Sequence, residues 1–277
     1  MPVTEVNGAR IAYTDTGPRD APVVVFGHGL LFGGWMFGPQ IAALCTRYRC
    51  VTLDWRGQGE SPATPGGYDM DTLTADALGL IEALGLAPAH WVGLSMGGFV
   101  GQRLAARHGE VLRSLTLLGT SAGAEDPGKA RDYRRMAGVQ RVIGVRPLLP
   151  RIRPLLFGPA FLANPAARPV LSAWQRRVVR LDRTGLRGAV HGVADRPGVE
   201  TELGRIAVST LVVTGADDVA TPPVEARRIA DLIPAADLRL LPGCGHTSTL
   251  EQPAAITALL EAFLGRLRRL PGQTAGA

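Results

Sequence analysis

The chain has 277 residues, 46% of them hydrophobic and 19% charged, which is enough for one large core, and it carries no low-complexity tract or internal repeat. Its net charge of +6 is almost wholly arginine, with Lys129 the sole lysine; with aromatics at only 5% and not interleaved with basic clusters, a nucleic-acid partner is not expected. Cys45, Cys50 and Cys244 lack CxxC or metal-ligand spacing, which argues against a disulfide scaffold or a metal site and for a reduced, cytoplasmic setting.

The N-terminus has neither the basic nor the apolar region of a signal peptide. Val3 to Val6 and Ile11 to Thr14 flank Asn7-Gly8, a tight-turn dipeptide, so the chain should open with an antiparallel hairpin. The nearly uncharged stretch from Ala21 to Gly38 is long enough for a membrane span, but its glycines, its flanking prolines and His28 fit a buried strand followed by a loop. Short apolar runs at Val23 to Phe26, Cys50 to Leu53, His90 to Leu94, Ser114 to Leu118, Thr210 to Thr214 and Leu238 to Leu241 read as further strands. Helical spacing appears between several of them, as in Pro39 to Arg47 and Asp71 to Leu84. Strands alternating with helices imply an α/β fold: a mostly parallel eight-stranded sheet flanked by helices.

One region breaks the alternation. From 121 to 200 no strand-like run occurs, prolines divide the segment, and Leu171, Trp174, Val178 and Leu181 form a helical stripe. The expected organisation is a core of residues 1–120 and 201–277, with a helical cap of 121–200 inserted after the sixth strand. Trp174 and Tyr133 lie in the cap, and aromatics on a helical stripe are more often packing residues than substrate contacts. The cap holds 15 basic and 6 acidic residues, so its excess positive charge either coats a solvated surface or draws anionic substrates into a cleft beneath it.

The order strand, Gly93-Leu94-Ser95-Met96-Gly97, helix is that of a nucleophile elbow, a sharp turn that holds a serine hydroxyl clear of its neighbours. The Met96 N–H then lies at a helix N-terminus, suited to stabilising a developing oxyanion. A serine nucleophile needs a base. His246, in the glycine-rich turn after the last strand, lies at the edge of the sheet where sites of this architecture assemble, whereas His28 reads as a buried structural ring. The carboxylate that orients the imidazole should follow strand Thr210 to Thr214, where Asp217 and Asp218 stand side by side and spacing alone does not separate them. A second oxyanion donor is expected from the Leu30 N–H, in the loop after Val23 to Phe26.

Taken together, His28-Gly29-Leu30, Asp54 to Ser61, Gly93 to Gly97, Gly215 to Pro222 and Gly245-His246 through Pro253 resemble the successive motifs of the α/β-hydrolase superfamily, in the order nucleophile, acid, histidine. The resemblance implies Asp218 as the acid, a structural Asp54 and a loop-pinning Arg56. Within the superfamily the chain is similar to small bacterial serine esterases and 3-oxoadipate enol-lactonase-like hydrolases. That implies cleavage of a small ester or lactone through an acyl-enzyme on Ser95; no cofactor or metal is expected, since the sequence has neither a ligand cluster nor a phosphate-binding glycine loop, and no nucleic acid or membrane partner is expected from its composition. C–C bond hydrolases, cofactor-free perhydrolases and non-turnover receptors keep the same three residues and stay open as alternatives.

Overall fold

In the computed structural model, which describes residues 1–234 and 236–269, eight strands form a single sheet: β1 (Val3–Val6), β2 (Ala9–Thr16), β3 (Val23–Gly27), β4 (Arg49–Leu53), β5 (Ala89–Leu94), β6 (Leu112–Leu118), β7 (Ser209–Gly215) and β8 (Ala236–Leu241). Their order across the sheet is β1-β2-β4-β3-β5-β6-β7-β8. The β1–β2 hairpin and the β2–β4 pair are antiparallel, and every later pair is parallel. Each strand from β3 onward therefore ends at the same edge of the sheet. This brings the loops after β3, β5, β7 and β8 together although they are far apart in sequence.

The helices flanking the sheet are α1 (Gly38–Leu44), α2 (Met70–Ala83), α3 (Met96–Arg107), α9 (Pro223–Leu232), the single turn α10 (Ser248–Glu251) and α11 (Pro253–Arg269). The cap helices α4 (Pro127–Ile143), α5 (Leu149–Leu156), α6 (Pro159–Ala163), α7 (Arg168–Val178) and α8 (Arg183–Ala194) all lie between β6 and β7. The prolines of the cap mostly start helices: Pro127 and Pro159 occupy the first residue of α4 and α6, where no intrahelical N–H bond is lost, while Pro154 lies inside α5. Each of the six parallel strands is longer than its apolar run, as β8 shows: the structure adds Ala236 and Asp237, whose small and charged side chains on this edge strand, only partly buried, carry no hydrophobic signal.

Both faces of the sheet are covered. On one, α2 and α3 bury Leu73, Ile81, Val100 and Leu104 with Trp91 of β5; on the other, Val24 and Phe26 share an apolar cluster with Phe263 of α11 and with Trp174 of α7. The cap is thus packed into the body of the protein. Trp174 is fully buried against Phe32 and Phe157, with ring centroids 6.3 and 5.5 Å away, and serves packing as the sequence pattern indicates. Arg56, behind β4, makes a bidentate pair with Asp76 of α2 and also bonds the carbonyls of Gly66 and Asn7, so it ties its loop to α2 and to the β1–β2 turn.

Candidate active site

Ser95 lies between β5 and α3 with φ 52° and ψ −110°, a conformation rare for a residue with a side chain. The strain is held from both sides. The Ser95 N–H donates to Leu118 O at 2.9 Å, and the Ser95 carbonyl accepts from Gly98 N, Phe99 N and Thr120 Oγ1. Gly93 and Gly97 allow the turn because a Cβ on Gly93 would overlap the Gly97 carbonyl, and one on Gly97 would overlap the carbonyl of Gly27. Ser95 is half-buried among fully buried neighbours, and it lines a cavity to which α4, α5 and α8 also contribute.

His246 lines the same cavity. Its Nδ1 lies 2.8 Å from Asp218 Oδ2, and because a carboxylate only accepts, Nδ1 carries the proton and Nε2 keeps its lone pair. Asp218 is held on all sides: Oδ1 accepts from the N–H groups of Ala220 and Thr221, both at 2.9 Å, and Oδ2 also accepts from Thr221 Oγ1 at 2.9 Å. Burial disfavours charge on both side chains, yet their mutual attraction and hydrogen bond win. The His246 pKa is raised and the Asp218 pKa lowered. Asp217 is half-buried, and its side chain makes no hydrogen bond among the described residues. Of the two adjacent carboxylates, Asp218 is the one that faces the imidazole.

The loop after β3 turns at Gly29 to Phe32, where Phe32 N donates to Gly29 O and Leu31 takes φ 70°. Leu31 N–H is committed to Gln58 Oε1 at 2.9 Å. The Leu30 amide donates to no acceptor among the described residues, and neither does Met96, whose N–H at the first position of α3 has no intrahelical partner. Both residues expected as oxyanion donors thus have free N–H groups, and Leu30 lines the cavity.

The other histidines stand apart from this arrangement. His28 is fully buried, with Nδ1 2.7 Å from Gly29 O and Nε2 accepting from Trp55 N, a neutral structural ring whose pKa is lowered by burial. His90 contacts Ser114 inside the sheet, and burial pulls its pKa down to about 4. Asp54 accepts from Gly34 N and Glu60 N, a structural role. Cys244 is buried, which pushes its thiol pKa up and leaves it inert as a nucleophile. Among the described residues no group of three or more His, Cys, Asp or Glu side chains could hold a metal ion, and no helix is long and apolar enough to cross a membrane.

Two contributors were not singled out from the sequence. Thr221 is one; the spacing Asp-x-x-Thr, in which a side chain accepts from the N–H three residues on, was the available signal. Glu251 is the other. Its Oε2 accepts from Gly245 N and Gly158 N, and its Oε1 from Thr247 N, all within 2.8 to 2.9 Å, so it brackets His246 and fastens its loop to the end of α5. Burial raises the Glu251 pKa against these three donors.

The cavity encloses about 900 Å³ of atom-free space, including its mouth. Its lining is largely apolar, with Leu148, Ile152, Leu156, Leu186 and Val190 from the segment between β6 and β7, where Glu125, Tyr133 and Gln140 are the polar residues. No arginine lines it among the described residues. Every arginine of this segment is at least partly exposed except Arg196, which is buried and pairs with the lining residue Glu125 at 2.8 Å, so the lining itself gives no support to the reading in which the charge draws anions into the cleft. Tyr133 corrects the packing expectation in the other direction: it faces the cavity, and burial, with the Glu125 charge adding to it, pushes its pKa up to about 12.

A profile of the alpha/beta hydrolase fold matches residues 22–253. The chain belongs to the α/β-hydrolase family. It is 31% identical over 267 residues to a Mycobacterium tuberculosis protein named as a non-heme bromoperoxidase, covering 91% of this chain and 97% of that one. Among solved structures it is similar to the enol-lactonase from Burkholderia xenovorans, with 31% identity, 95% and 100% of the two chains covered and a TM-score of 0.89. A thermophilic esterase from Thermogutta terrifontis shares 28% identity and the same TM-score, with 96% and 99% covered.

Proposed function

We propose that the protein hydrolyses carboxylic esters or lactones through an acyl-enzyme on Ser95. The observation that carries this reading is one cavity lined both by a strained, half-buried serine and by a histidine whose Nδ1 is held by a buried carboxylate. Ser95 Oγ attacks the carbonyl carbon while His246 Nε2 accepts its proton, and the new imidazolium is stabilised by Asp218. The carbonyl oxygen becomes an oxyanion facing the Leu30 and Met96 N–H groups, each such donor contributing about 3 kcal/mol in related chemistry. His246 then returns the proton to the leaving alkoxide, and water repeats the sequence to release the acid.

The esterase and enol-lactonase among its structural relatives support this reaction class, and the apolar cavity favours an uncharged acyl group over an anionic one. In this reading 121–200 forms the roof of the substrate pocket, and the protein acts in the cytoplasm. A second reading has its own support in the relative named as a bromoperoxidase: hydrogen peroxide in place of water at the acyl-enzyme would release a peracid.

The test is turnover of p-nitrophenyl acetate by wild type and Ser95→Ala, with mass spectrometry after a fluorophosphonate probe. Wild type should turn over and gain one adduct on Ser95, and Ser95→Ala should lose about 10⁴-fold while keeping its fold. More than a tenth of wild-type activity in Ser95→Ala would end the serine-hydrolase reading. Peracid formation with acetate and hydrogen peroxide separates the second reading from the first.

A further inference from the structure

Helix α4 presents Tyr133, Met136, Ala137 and Gln140 to the cavity, the spacing of one helical face. Its N-terminal end is fixed beside the acid loop, where Lys129 Nζ bonds the carbonyls of Val219 at 3.2 Å and Ala220 at 3.0 Å. Gln140 lies eleven residues further on, roughly 16 Å along the axis at about 1.5 Å per residue, so it belongs to the distal part of the cavity. It is 3% exposed. Its Nε2 donates to Arg183 O at 2.8 Å, which fixes the orientation of the amide, and its Oε1 has no hydrogen-bond donor among the described residues. Val145, Leu148 and Leu186, which line the same cavity, have aliphatic side chains and offer none.

A buried amide oxygen without a donor is unfavourable, and Gln140 borders the cavity, so a small shift of its side chain would bring that oxygen to a ligand there. We infer that Gln140 is a specificity residue that accepts a hydrogen bond from a hydroxyl or N–H on the distal part of the substrate, selecting esters whose otherwise apolar chain carries one donor far from the reacting carbonyl. The inference rests on the ester-hydrolase reading and adds the substrate class. A pocket that buries an acceptor discriminates against the analogue in which a methyl replaces the donor, because that acceptor stays unpaired.

The test uses p-nitrophenyl ω-hydroxyalkanoates from hexanoate to dodecanoate, each paired with the alkanoate in which a methyl replaces the hydroxyl. The readout is the ratio of kcat/KM within each pair. In wild type this ratio should rise about tenfold at the chain length whose hydroxyl reaches Gln140, relative to the shortest pair, which is the size of one neutral hydrogen bond to a buried group. Gln140→Met, similar in shape without the acceptor, should flatten the profile. A flat profile in wild type overturns the inference without any variant, and so does a rise that survives in Gln140→Met. Turnover of p-nitrophenyl acetate with a flat profile removes the specificity role alone; no turnover of any ester removes the hydrolase reading and this inference with it.

Discussion

Asp218→Asn tests the assignment of the acid most sharply, because the surrounding hydrogen bonds dictate how the new side chain must sit. Oδ1 accepts from two backbone N–H groups, those of Ala220 and Thr221. An asparagine must keep its oxygen there, since an NH₂ facing two donors would be repelled. The NH₂ then takes the place of Oδ2, 2.8 Å from His246 Nδ1, and donates to it. Nδ1 is forced to accept, the ring proton moves to Nε2, and the lone pair that would deprotonate Ser95 is gone. The shape of the site is nearly unchanged, so the loss is chemical: about 10⁴-fold in kcat, or about 5.5 kcal/mol. The residual activity should also change its pH dependence. His246 acts as a base only when neutral, and the Asp218 charge and hydrogen bond are what raise its pKa against burial. Without them burial dominates, so the acid limb of kcat/KM should move to lower pH. Steady-state kinetics on p-nitrophenyl butyrate from pH 5 to 9 measures both effects, with Asp217→Asn, expected within about twofold of wild type, as the control. A loss under tenfold in Asp218→Asn, or an equal loss in Asp217→Asn, would refute the reasoning.

Three further outcomes are expected. Glu251→Gln places an NH₂ where a carboxylate oxygen accepts from a backbone N–H on the His246 loop, so stability to urea should fall by about 1–3 kcal/mol. Since the Glu251 charge also helps raise the His246 pKa, the acid limb should shift to lower pH, and an unchanged limb would leave Glu251 a purely structural role. Gly93→Ala should prevent soluble folding or lower Tm by well over 5 °C, because the added Cβ overlaps backbone that cannot move aside; near-wild-type thermal unfolding would contradict this packing of the elbow. Arg56→Met leaves the Asp76 carboxylate buried without its partner and should destabilise by about 3–5 kcal/mol, read by chemical denaturation, with kcat of the remaining folded protein close to wild type.

The pattern of residues was sufficient for the fold. Asn7-Gly8, the six apolar runs and the helical spacing between them are local signals, and they match the eight strands because burial on both faces keeps the five inner parallel strands, β3 to β7, predominantly apolar. The candidate serine and histidine were legible for a related reason: the glycines around Ser95 and His246 mark places where backbones approach too closely for a Cβ. Between Asp217 and Asp218 spacing alone did not decide, and the family resemblance favoured Asp218. The structure gives the physical cause, which is that Ala220, Thr221 and His246 converge on one carboxylate from two different loops. Tyr133 and the cap arginines show the opposite limit. Their composition was plain in the sequence, but which way each side chain faces depends on how five helices pack against one another and on the sheet. Those are contacts between residues distant in the chain, so only the tertiary structure brought Tyr133 and Gln140 to the cavity and left the arginines out of its lining.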